Sequence, residues 1–139
     1  MPAICVTEPK YTSPIATDKP YMAFMPAVLV AAGIAVLSLA ESSHMPSAQV
    51  NDKLVHGVMY LVLSGALMGA FAYTGRTRTR YYITTCALAT LYGGLMELLQ
   101  QYCTLTRSAE WTDWLADFLG AAAGTGIVLL IVLFTSRKA

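Results

Sequence analysis

Charge is scarce in this chain: 12% of its 139 residues are Asp, Glu, Lys or Arg, against 56% hydrophobic. A soluble domain of this length has too little interior to hide that proportion of apolar side chains, so a membrane protein is expected. Also missing is the alternation of apolar and polar residues that marks barrel strands. Lipid offers backbone groups no outside partner, so the spanning elements must be helices. Cysteine is sparse as well: Cys5, Cys86 and Cys103 fall in different zones, and no two are placed to pair. The histidines form no paired-ligand motif, and no nucleophile motif accompanies the polar residues.

What is there instead is four apolar runs, near Tyr21 to Ala40, Leu54 to Tyr73, Tyr81 to Cys103 and Trp111 to Phe134. Each is close to the ~20 residues a membrane-crossing helix needs. The fold expected is all-α, a four-transmembrane-helix bundle over residues 21–134, flanked by tails at 1–20 and 135–139. Ser38-Leu39-Ala40 has the small-x-small pattern of a signal-peptidase cut. The first run is longer than a signal core, however, and the segment before it carries Glu8 and Asp18 beside Lys10 and Lys19, so a retained helix is expected. Pro26 sits in its first turn, where a missing N–H costs little.

Basic residues predict the orientation. Lys10, Lys19, Arg76, Arg78, Arg80, Arg137 and Lys138 fall on one side and Lys53 and Arg107 on the other, so both termini are expected in the cytoplasm. The Arg76–Arg80 run is read as an orientation signal, and no nucleic acid partner is expected. Tyr102, Trp111 and Trp114 are expected at the outer boundary, and Tyr73, Tyr81, Tyr82 and Phe134 at the inner one, where headgroups favour aromatic rings.

The stretch Glu110 to Gly120, EWTDWLADFLG, places acids on the first turns of a helix entering hydrocarbon. It is matched on the other helices. Lys53, His56, Tyr60 and Ser64 make a stripe on the second; Cys86, Thr90, Gly93, Glu97 and Gln101 on the third; Asp113, Asp117, Gly120 and Gly124 on the fourth. With Asp52 and Gln100, every charged member lies in the outer half. An acid facing lipid near the bilayer centre costs about 2.5–3.5 kcal/mol, so the stripes are expected to converge on an outward-facing polar pocket. Gly65-x-x-x-Gly69 and Gly120-x-x-x-Gly124 supply the close packing this requires.

Asp52-Lys53-x-x-His56-x-x-x-Tyr60, then Glu97-x-x-Gln100, then Arg107 followed by Asp113, Asp117 and Gly120-x-x-x-Gly124, resembles the VanZ-like family of small bacterial membrane proteins. The resemblance runs from about residue 28 to 134 and includes Leu37-Ser38-Leu39 and Pro46 in the first connection. One departure is Asp117, where many members carry Asn; it adds a negative charge. The resemblance implies a bacterial cytoplasmic membrane protein and a namesake role in low-level resistance to teicoplanin. It implies no established enzyme activity.

Three readings of the polar residues remain open. In the first, Asp52, Lys53, His56, Tyr60, Glu97, Gln100, Gln101, Arg107, Asp113 and Asp117 bind the head of an anionic envelope lipid or lipid-linked wall precursor. Lys53 and Arg107 meet phosphate, and the acids meet hydroxyls or amines. In the second, His56 with Glu97 or Asp113 supplies an acid and base for turnover of a lipid phosphate head. In the third, the network only fixes helix register. Transport is disfavoured, because the inner helix halves are almost wholly apolar. No cofactor is expected. His56, Glu97, Asp113 and Asp117 are acceptable metal ligands, but a metal is set aside because Lys53 and Arg107 are expected to repel a cation.

Overall fold

The computed structural model describes residues 19–39, 49–103 and 110–136. A short 3-10 turn over Pro20–Phe24 leads into α1, Met25–Leu39; α2 is Gln49–Tyr73, α3 Thr79–Cys103 and α4 Trp111–Ser136. All four helices are long and apolar enough to cross a membrane, α1 together with its 3-10 turn. They follow the apolar runs, and α2 begins before its run and so takes in Asp52 and Lys53.

The outer surface of the bundle is greasier than a water-soluble protein tolerates. Val36, Leu54, Leu91 and Leu29 are among many large apolar side chains facing outward. Lipid, not a hydrophobic core, is the natural cover for them. The interior is made from small and polar residues, with Ile34, Tyr60, Leu63, Ala89, Met96 and Ala121 forming its apolar cluster. Arg107 lies outside the described residues.

Side-chain contacts fix the helix directions. Gln100 near the end of α3 donates to the Ser38 carbonyl near the end of α1 at 3.1 Å. At that same end His56, early in α2, meets Asp117, early in α4. At the other end Phe24 packs edge-on against Phe71, with ring centroids 5.1 Å apart, and Phe71 packs against Tyr81. Neighbours in sequence therefore run antiparallel, while α2 and α4 run parallel side by side.

That parallel pair is packed backbone to backbone. A β-carbon at Gly120 would overlap the Gly57 carbonyl, and one at Gly124 would overlap the Leu61 carbonyl and the Ser64 hydroxyl. The small residues of α4 act as the sequence pattern suggests, since glycine lets helix axes approach closely. Their counterpart on α2 is different from the one expected. Gly65 lies only at contact distance from Gly124, and a β-carbon on Gly69 would meet nothing within 4 Å. What α4 meets on α2 is backbone, the carbonyls of Gly57 and Leu61, and a β-carbon on Gly57 itself would stand 3.7 Å from the Ala116 carbonyl, in ordinary contact.

The α2–α3 turn ends on a glycine for a backbone reason. Gly75 has φ of 77°, its N–H bonds the Ala72 carbonyl at 3.0 Å, and Arg76 N–H bonds Phe71 at 2.8 Å. This is a Schellman ending, which satisfies the last carbonyls of α2 and turns the chain into the arginine-rich link.

Two expectations are corrected here. On α3 the buried face is Tyr82, Thr85, Ala89, Gly93, Met96, Glu97 and Gln100, whereas Gln101 is exposed. A row built mainly on four-residue steps drifts around a helix of 3.6 residues per turn, so the ends of the expected stripe leave the face. Tyr82, expected as a boundary anchor, is buried inside the bundle, while Tyr102, Trp111, Tyr73 and Phe134 are exposed at the helix ends.

Candidate functional site

The charged residues at the α2, α3 and α4 ends that carry His56, Glu97 and Asp117 gather in two linked layers. In the deeper layer His56 Nδ1 lies 3.0 Å from Asp117 Oδ1 and 3.8 Å from Glu97 Oε1. All three residues are buried, Asp117 completely. α2, α4 and α3 each contribute one of them. Their meeting follows from the glycine packing: Gly57 follows His56 directly, and Gly120 comes one turn after Asp117.

Asp117 is also pressed against α3. Its carboxylate sits where a β-carbon on Gly93 would have to go, so Gly93 makes room for the acid between helices. One oxygen faces His56, and the other, Oδ2, is buried without a hydrogen-bond partner among the described residues. Glu97 is similar. Its Oε2 accepts the Glu110 backbone N–H at 3.1 Å, and its Oε1 is buried with no hydrogen bond among the described residues. The Tyr60 hydroxyl, one turn beyond His56, is a third such atom. Unpartnered polar atoms at this depth cost about 1–3 kcal/mol each, more when charged, and native interiors hold few of them.

The shallower layer is centred on Lys53. Its ammonium donates to Asp113 Oδ1 at 2.8 Å, to Thr112 Oγ1 at 2.7 Å and to Glu110 Oε2 at 3.1 Å. Lys53 and Glu110 are about half exposed and Asp113 is nearly covered, so this layer roofs the buried one. Asp113 also suits the first turn of α4, where the helix dipole favours an acid. Asp52 is exposed, and its carboxylate falls within 4.8 Å of donor atoms on His56 and Asp113.

The other residues singled out from sequence divide by role. Tyr60 is buried beneath the layer, and Gln100 is used to hold α1. Gln101 lies on the exposed side of α3. Ser64 is two turns deeper than His56, and its hydroxyl is taken up by the Leu61 carbonyl at 3.2 Å. The sequence pattern placed Gly93 on the polar stripe of α3 without its role of making room for Asp117, and it missed Glu110, Thr112 and Gly57. Glu110 was legible as the first acid of the acid-rich start of α4; Gly57 was not, because it stands in no repeated small-residue motif.

A groove of roughly 430 Å³ lies at the opposite end of the bundle, between α1 and α2, lined by Met22, Ala23, Pro26, Ala66, Gly69, Ala70 and Tyr73. It is apolar and holds none of the expected site residues.

Fold and site together define a multi-pass helical membrane protein with a buried cluster of ionisable groups at one membrane face. The family described as VanZ/LLP1 matches residues 13–133, and the chain belongs to that family. No curated protein and no solved structure matches it.

Proposed function

We propose that this VanZ-family protein spans the bacterial cytoplasmic membrane with both termini inside. Its polar helix ends face outward to receive the head of an envelope lipid or a lipid-linked wall intermediate. The charge distribution supports this orientation. Arg76 and Arg78 lie in the α2–α3 link and Arg80 in the first turn of α3, at the end away from the acids, and basic links stay in the cytoplasm. A site beside Trp111 and Tyr102 then stands at headgroup height.

The observation that carries the reading is the roofed cluster itself, with buried carboxylate oxygens unused beneath a half-exposed lysine. A network whose only task is helix register gains nothing from acid oxygens left without a hydrogen bond among the described residues. Lys53 can exchange Glu110 for a phosphate oxygen, while Asp52, Glu110 and Asp113 suit hydroxyls and amines. Arg107, four residues beyond α3, belongs to the same reading as a second phosphate ligand. Teicoplanin acts on outward-facing wall precursors, so the resistance linked to the family's namesake is consistent with a ligand of this kind.

The test is thermal stability of the purified protein in micelles, with and without an anionic phospholipid or a polyprenyl-diphosphate wall precursor. Stabilisation by either that disappears in folded Lys53→Ala and Asp113→Asn variants is expected. Equal melting with and without both lipids would sink the reading.

Turnover of the phosphate head is the second reading, and the carboxylate-held imidazole of His56 favours it. An imidazole fixed by an acid is the usual form of a general base. The Ser64 hydroxyl bonds the Leu61 carbonyl on its own helix, and water is the nucleophile in this reading. Phosphate release by wild type and none by His56→Ala is the expected result; no release from a panel of phosphorylated lipids removes this reading.

A further inference from the structure

We propose that His56, Glu97 and Asp117 form a binding site for one divalent transition cation, zinc or manganese in type. Each offers a donor atom, and the three atoms lie within 4.8 Å of one another in a fully buried group. An imidazole nitrogen and carboxylate oxygens are the donors these ions take, at about 2.0–2.2 Å. Two donors bound to one ion at that length stand roughly 3 to 4 Å apart, and the His56 distances, 3.0 Å to Asp117 and 3.8 Å to Glu97, fall there.

A cluster of acids alone says little; the unused atoms say more. Glu97 Oε1 and Asp117 Oδ2 are buried without hydrogen bonds among the described residues, and Oε1 is directed at the His56 nitrogen. The second oxygen of Glu97 is fixed by the Glu110 N–H, as outer partners orient metal-binding carboxylates. Charge points the same way. With both carboxylates ionised and the imidazole neutral, the form in which these groups bind metals, the donor set carries two negative charges, which a divalent ion balances. Lys53, expected from sequence to repel such an ion, is held in the outer layer by Asp113, Glu110 and Thr112. The Tyr60 hydroxyl, also unpartnered, stands one turn deeper, where it can bond a ligand oxygen or a metal-bound water.

The site does not depend on a lipid head being bound above it. The full chain, stripped with chelator in micelles and titrated with zinc or manganese, should retain one equivalent per chain after desalting. Glu97→Gln and Asp117→Asn should each weaken binding by about 100-fold, at the upper end of what even outer-shell losses cost. If either variant fails to fold, cobalt(II) on the wild type decides the matter. Stoichiometric, chelator-reversible visible absorption supports the site, and its absence overturns it. Folded variants that bind like wild type, or a wild type retaining no zinc or manganese, also overturn it. Metal uptake without lipid stabilisation removes the headgroup reading and leaves this one. Lipid stabilisation in chelator, with no metal uptake, does the reverse.

Discussion

Gly120 of α4 lies against the carbonyl of Gly57 on α2, so closely that a β-carbon would overlap the oxygen. The contact lies one residue past His56 and one turn past Asp117, and it holds those two side chains within 3.0 Å of each other. Packing between parallel helices, with no hydrophobic force to press them together in lipid, is what assembles the buried polar layer.

Gly120→Ala should therefore act on both fold and site. Overpacking of a tight contact costs about 1–3 kcal/mol, and backbone on the far side has no rotamer with which to yield. Gly126→Ala is the control, because a β-carbon there meets nothing within 4 Å and alanine favours the helix. Reversible unfolding in a mixed-micelle assay should show the first variant destabilised and the second unchanged or slightly more stable. Equal effects from the two would contradict the packing.

The His56–Asp117 contact predicts non-additivity. Removing one partner of a buried hydrogen-bonded pair leaves the other unsatisfied, at about 1–3 kcal/mol and more where that group is charged. Asp117→Ala and His56→Ala should each be severely destabilising, and the double variant should lose less than their sum. A coupling of about 0.5–3 kcal/mol is the expected range for groups in contact. Strict additivity in the double-mutant cycle would mean the two side chains do not share an interaction.

Lys53→Met separates the two layers. Its ammonium is joined to Glu110, Thr112 and Asp113, but it stands in solvent-accessible surroundings, where such ties add little to stability. Little change in melting temperature is expected, together with loss of any lipid-dependent stabilisation and of any glycopeptide phenotype at matched expression. A large loss of stability would assign Lys53 to the framework of the fold instead.

Much of this architecture was legible in the chain. Four runs near bilayer length gave the four helices, and the acids at one end of three of them gave the cluster, because burying charge in lipid leaves few alternatives. The face of α3 was less legible. Cys86, Thr90 and Gln101 share a plausible row with Glu97, yet the interior takes Thr85, Ala89 and Gln100. Helical periodicity limits a face only to within about one residue, and the rotation of α3 was settled by where Asp117 finds space against Gly93. Nor did the pattern reveal Gln100 as a tie to α1, since hydrogen bonding to a distant carbonyl leaves no local signature.

That tie yields a prediction about α1, to which two α3 side chains donate hydrogen bonds among the described residues. Tyr92 donates to the Ala31 carbonyl at 2.7 Å and Gln100 to the Ser38 carbonyl at 3.1 Å. Hydrogen bonds between membrane helices are worth about 0.6 kcal/mol on average and at most about 2. Tyr92→Phe and Gln100→Leu should each lower stability modestly while leaving the α2–α4 pair intact. A cysteine placed at Ala31 should label faster in the double variant than in wild type, whereas one at Gly65 should not. Unchanged labelling at Ala31 would show that apolar packing alone holds α1.

The orientation has a direct measurement. Cys103 is exposed at the end of α3 that carries the polar layer, and Arg78 lies in the link at the opposite end. In intact cells a membrane-impermeant thiol reagent should modify Cys103 when the other two cysteines are replaced by serine. It should fail to modify Arg78→Cys in a cysteine-free background until the membrane is opened. The reasoning is the charge count: a bundle with three arginines in and just after one short link and acids at the other end inserts with the arginines inside. The reverse labelling pattern would put the carboxylates of Asp113, Asp117 and Glu97 at the cytoplasmic surface. A ligand would then have to reach Lys53 from the cell interior, and a wall precursor displayed outside could not be the molecule it binds.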